Sequence, residues 1–79
     1  IKCLTGTEAE VMEFVVKPES PITRGKLSEV DFPDEAIIGG VIRGKNAFIA
    51  RGDTQIKPYD RVVVFALPGV IRSIGKFFN

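Results

Sequence analysis

The run Gly39-Gly40-Val41-Ile42-Arg43-Gly44-Lys45-Asn46 has, through its lysine, the spacing of a phosphate-binding loop. In such a loop glycine amides cradle the phosphates, the lysine reaches the outer ones, and a closing Ser or Thr hydroxyl holds magnesium. Here the closing residue is Asn46, which has no hydroxyl. The context differs too. A phosphate loop leads from a strand into a helix, whereas Val41 and Ile42 read as strand residues and a second strand follows. The paired acids offer little more. Asp31, Asp34 and Glu35 flank Pro33, and Asp53 and Asp60 stand on either side of Pro58. General acid–base work requires a perturbed carboxylate beside a substrate cleft, and turn-like segments give solvated acids instead. Asp60 reads as the cap of a turn before the next strand. The chain is expected not to be an enzyme.

The remaining chemistry is cationic. Arg43, Lys45 and Arg51 gather around one hairpin with Asn46 beside them. Two readings stay open. They could bind an anionic ligand through charge-assisted hydrogen bonds, or keep a sheet edge soluble. An extended strand separates Asn46 from Arg51, so one subunit is not expected to bring Arg43 and Arg51 onto one ligand, whereas a two-fold interface could. Cys3 is the single cysteine and there is no histidine. An intrachain disulfide and a zinc site are therefore both out of reach. Cys3 reads as a small apolar residue, compatible with a reducing compartment. No cofactor is expected in this domain.

The elements that must position these residues follow from periodicity. Glu8–Lys17 reads as a strand, with Met12, Phe14 and Val16 on one face and Ala9, Val11 and Val15 on the other, interrupted by Glu13. Pro18 and Pro21 end it. Pro21–Val30 reads as a short helix burying Ile22, Leu27 and Val30, with Ser20 as its cap. Asp31–Glu35 is a loop. Ala36–Arg43 is a strand in which Gly39 and Gly40 suggest a bulge or the close approach of another backbone. Gly44-Lys45 turns the chain into a further strand over 46–50, and Arg61–Leu67 is apolar on both faces after Arg61. Pro68 opens a last helix with an apolar stripe of Val70, Ile71, Ile74, Phe77 and Phe78. The fold class is α+β, a small antiparallel sheet with two helices in the order strand, helix, hairpin, strand, helix.

The chain has 79 residues and a net charge of +1 from 11 basic and 10 acidic residues. The signs are interspersed, which disfavours a nucleic-acid partner. The longest fully apolar run, about seven residues, falls far short of the roughly 20 a bilayer requires. A chain this short hides only about 60–65% of its unfolded surface, so its core is thin. With two-sided apolar strands, this points to a homodimer, with Ile37, Ile38, Gly39, Gly40 and Val41 as its interface.

One resemblance takes in nearly the whole chain. Val16-Lys17-Pro18-Glu19-Ser20, Gly25-Lys26-Leu27, Ile38-Gly39 with Arg43, Gly52-Asp53-Thr54 and Asp60-Arg61-Val62-Val63-Val64-Phe65 stand in the order of the TrkA C-terminal domain family, the C-terminal part of the RCK domain. The sequence departs at Tyr59-Asp60, where the family has glycine before the aspartate; tyrosine accommodates a positive backbone angle poorly. The resemblance implies one dimerising α+β domain over 1–79, excised from a longer chain. It implies a regulatory, ligand-sensing module acting allosterically on a membrane potassium transporter, cytoplasmic and peripheral to the inner membrane. NAD or an adenine nucleotide would bind a preceding Rossmann-like domain outside these residues. The alternatives are the same module on another ion or dicarboxylate transporter, and a small nucleotide-handling enzyme using Gly39–Asn46.

Overall fold

A computed structural model describes the backbone of Lys2–Cys3 and all of residues 9–79. Glu8 and the side chain of Cys3, named above, lie outside the described residues. Strands β1 (Lys2–Cys3), β2 (Glu10–Val15), β3 (Ala36–Arg43), β4 (Asn46–Ile49) and β5 (Arg61–Ala66) form one sheet in the order β1-β2-β5-β3-β4. Every neighbouring pair is antiparallel.

The pleat sorts the apolar residues onto two faces. Register sets Met12 against Val64, Phe14 against Val62, and Ile38 against Val64. These side chains face the core with Val16, Val41 and Ala66, while Ile22, Ile56, Ile74 and Phe78 cover them from the helical side. Phe78 stacks on Phe14 with ring centroids 4.4 Å apart, and Phe32 meets both Phe77 and Phe78. All the helical turns lie on this one side. The other face receives no element from the described residues.

The expected bulge is present. Pairing between β3 and β5 shifts register between Ile38 and Gly40, leaving Gly39 without a Cα partner. The Phe65 ring lies over Gly39, 2.3 Å from where a Cβ would stand, so any side chain there would have to displace the ring. The predicted hairpin is present as well: Arg43 pairs with Asn46 across Gly44-Lys45, and Gly44 adopts φ +59.

The two helices are shorter than the sequence suggests. Pro21–Val30 holds two 3-10 turns, Pro21–Arg24 and Leu27–Glu29, split by an extended Gly25. Glycine has little preference for helix, and backbone bonds to a neighbouring loop replace the missing ones: Leu27 N–H donates to Thr54 O and Ser28 N–H to Gly52 O. At the C-terminus Pro68 opens a turn rather than a helix. Gly69 takes φ +85 and Val70 N–H donates to Leu67 O, so α1 spans only Ile71–Ile74 before a 3-10 turn over Gly75–Phe78.

Two segments that resemble each other in sequence form twin turns. Lys17-Pro18-Glu19-Ser20 and Lys57-Pro58-Tyr59-Asp60 each place proline second and a positive φ third, at 67° for Glu19 and 70° for Tyr59. In each the fourth amide donates to the first carbonyl, at 3.1 and 3.2 Å. In each the fourth side chain, Ser20 or Asp60, is buried and accepts from the first amide, at 3.0 and 2.9 Å. This is the arrangement of a type II turn, with Glu and Tyr where glycine is usual. The two are stitched together by Val16 N–H to Asp60 O and Tyr59 N–H to Val16 O.

Candidate functional site

Arg43 ends β3 at the edge of the core face, and Asp60 lies beside it at the foot of β5. Arg43 Nε donates to Asp60 Oδ1 at 2.9 Å and an Nη donates to Oδ2 at 2.7 Å, a bidentate pair. The same Nη also donates to Gln55 O at 3.0 Å, and Gln55 Nε2 donates to Thr23 O. The guanidinium carbon lies 5.1 Å from the centroid of the Phe48 ring. Asp60 is 2% exposed and the Arg43 side chain 36%.

Burial raises the Asp60 carboxyl. The Arg43 bonds, the Lys57 amide and the charges of Arg43 and Lys57 outweigh burial and hold the group below its ordinary value. Arg43 is held above its own ordinary value, first by its hydrogen bonds to Asp60, against a smaller opposing effect of burial. The pair closes the bottom of the sheet by tying β3 to the turn before β5.

The four residues nominated for an anion are not brought together in one hollow. Arg43 already serves Asp60, Gln55 and Phe48. Lys45 and Asn46 are exposed at the hairpin tip. Arg51 lies on a separate groove of about 450 Å³, lined by Leu27, Val30, Phe32, Ile38 and Ala50 among others, to which Arg43, Lys45 and Asn46 do not contribute. The phosphate-loop spacing is spent on β3, its turn and β4, so no helix N-terminus follows the glycines. Among the described residues no group of three His, Cys, Asp or Glu could hold a metal ion. None of their helices is long and apolar enough to cross a membrane.

The five interface nominees divide by the pleat. Val41 is 1% exposed in the protein's own core and Ile38 packs against that core. Gly39 lies beneath Phe65. Ile37 and the Cβ direction of Gly40 face outward, by their pairing with Phe65 and Val63. Around them the uncovered face carries Val15 (58% exposed), Ile37 (65%) and Ile49 (74%), together with Val11, Ile42, Ala47, Val63 and Phe65. Glu13 and Arg61 also stand on it, 3.7 Å apart. A hollow of about 460 Å³ opens on it, lined by Gly39, Gly40, Ile42, Ala47, Ile49 and Phe65 among others. Of the five nominees Ile37 and Gly40 thus stand on this face, beside Val15, Ile49 and Phe65, which the nomination did not include.

Comparison with known proteins places this geometry. The TrkA-C domain family profile matches residues 11–79. A Methanosarcina mazei protein, Trk system potassium uptake protein TrkA homolog 1, is 36% identical over 76 residues, covering 96% of this chain and 17% of that protein. The Trk system potassium uptake protein TrkA homolog of Archaeoglobus fulgidus is 35% identical over 79 residues, 100% of this chain and 18% of that protein. The chain thus spans under a fifth of the length of these relatives. A solved structure described as "Structure of RCK domain with cda" superposes with a TM-score of 0.74 over 87% of this chain and 97% of that one, at 19% identity, a likeness of fold. The ordered motifs, the sheet topology and these matches agree: the chain belongs to the TrkA-C domain family.

Proposed function

We propose that this domain is the regulatory and dimerising module of a Trk-type potassium-uptake regulator, acting from the cytoplasm on a membrane potassium transporter. The observation that carries the reading is the uncovered apolar face of the sheet. A solvated antiparallel sheet normally alternates apolar inward with polar outward, and a face bearing Val15, Ile37 and Ile49 is built to be covered. Family membership and the names of the relatives supply the transport context. Two copies joined through this face would couple the longer subunits that carry them. A neighbouring domain or a bound ligand that favours one packing of the pair would then shift the transporter, which is allostery by differential stabilisation of two states. The fixed bidentate pairing of Arg43 favours a structural role there, so ligand sensing, where it occurs, draws on Lys45, Asn46 or Arg51.

The test is potassium uptake by cells that depend on a Trk regulator, complemented with the full polypeptide carrying this domain. Removing the domain is expected to leave uptake that no longer responds as the intact protein does. Unchanged uptake and unchanged regulation after its removal would sink the proposal.

A further inference from the structure

One edge of β3 is paired over only part of its length. β4 accompanies it from Arg43 back to Gly40, and one further bond runs from Ala50 N–H to Gly39 O at 3.3 Å. The chain then leaves in the turn over 51–54, while on the opposite edge β5 stays paired as far as Ala36. Among the described residues Ala36–Ile38 therefore present a strand edge with no strand beside it. Proteins ordinarily block or cover such an edge. This one opens into the groove of about 450 Å³. Six apolar residues only partly buried against the core line that groove: Leu27, Val30, Phe32, Ala36, Ile38 and Ala50. One base and one acid line it as well, Arg51 and Asp34. Neither side chain has a hydrogen bond or an ion pair among the described residues.

The backbone of Arg51 is held while its side chain stays unengaged. Thr54 N–H donates to Arg51 O at 3.0 Å, and Thr54 Oγ1 accepts from Arg51 N–H at 2.9 Å. The bonds from Leu27 N–H to Thr54 O and from Ser28 N–H to Gly52 O fix this turn against the 3-10 turn that walls the groove.

We propose that the groove binds a short apolar peptide in extended form, added parallel to the free edge of β3, with its carboxylate at Arg51 and its ammonium at Asp34. This gives the ligand-sensing part of the function proposed above a site and a ligand class, and rests on that reading for its regulatory use alone. Three extended residues span roughly 10 Å, the length of Ala36–Ile38. In strand addition the backbone bonds supply affinity and apolar hollows supply selectivity. The volume lies within the range of small-molecule sites, about 300–1,000 Å³. The charges set the direction. Asp34 stands just before β3 begins, and Arg51 stands where the partner strand has just left Gly39, at the Ile38 end. An antiparallel peptide, continuing the direction of β4, would bring its ammonium to Arg51 and its carboxylate to Asp34. A parallel one matches both, and the guanidinium fork suits a carboxylate.

The experiment titrates the chain with the tripeptide Leu-Ala-Leu, its N-acetyl form and its C-terminal amide, by calorimetry and by amide NMR. The free tripeptide should bind saturably and shift the amides of Ile37, Ile38, Ala50 and Arg51. Each blocked form, and each of Arg51→Gln and Asp34→Asn, should weaken binding at least about tenfold. Both substituted side chains are exposed, so circular dichroism should show the same fold throughout. No saturable binding at about 10 mM tripeptide overturns the site. So do shifts confined to other strands, or blocked peptides that bind as well as the free one. Potassium-uptake regulation is read separately in cells, so the peptide site and the regulatory reading fail independently.

Discussion

Asp60 shows how much one buried carboxylate can decide. Its value is depressed in the folded chain, so the charged form is favoured by folding and contributes stability above the unfolded value of about 3.8. That contribution disappears as pH falls through the lower folded value, so unfolding free energy should drop in the window below about pH 4. Asp60→Asn, titrated by denaturant unfolding between neutral and acid pH, should show a flatter acid limb. At neutral pH, Arg43→Ala leaves the carboxylate buried without its cation and should cost about 3 kcal/mol, the low end for such losses because Arg43 is partly exposed. Tyr59 gives the opposite sign. It holds φ 70 and is 74% exposed as a residue, so it carries left-handed strain with little packing in return. Tyr59→Gly should stabilise by about 0.5–1 kcal/mol, the strain relieved less the added freedom of the unfolded chain. A lowered melting midpoint would contradict this. The capping role of Asp60 was legible from its place before the apolar strand. Its partner was not, because Arg43 lies seventeen positions away and only the sheet register brings the two together.

At the scale of elements, the strands were the legible part. Ala36–Arg43 was read with the bounds it has, and Arg61–Leu67 runs one residue beyond β5. Period two with turn residues at both ends leaves few alternatives. The helices were overread because an apolar stripe says which residues face the core, not whether the intervening backbone closes α-helical bonds. Ile74 and Phe78 are buried as the stripe required, on one α-turn and one 3-10 turn. The end of the stripe also divides unequally. Phe78 is 2% exposed and stacked on Phe14, whereas Phe77 is only half-buried, tilted against Phe32. Phe78→Ala should therefore cost about 3–5 kcal/mol, and Phe77→Ala clearly less. Equal shifts in denaturation midpoint for the two would show that the last turn does not seat as described.

For the whole molecule, the thin core and the uncovered face belong together. A dimer that hides this face gains stability by mass action, so the melting midpoint should rise with protein concentration. A midpoint constant over a hundredfold range would separate stability from association. Sheet order has a further consequence, which concerns the order of synthesis. β5 is the central strand, yet it is the last one in the chain. Before it emerges, β2 has only the two-residue β1 beside it and β3 has only β4. A growing chain that stops before Arg61 therefore displays two long apolar strands with open edges and no means of joining them, the condition that invites intermolecular pairing. A fragment ending at Asp60 should show no protected strand amides by hydrogen exchange and should aggregate at concentrations where the full chain stays in solution. Supplying Arg61–Asn79 as a separate peptide should restore protection in β2 and β3 together, because one strand completes both ladders at once.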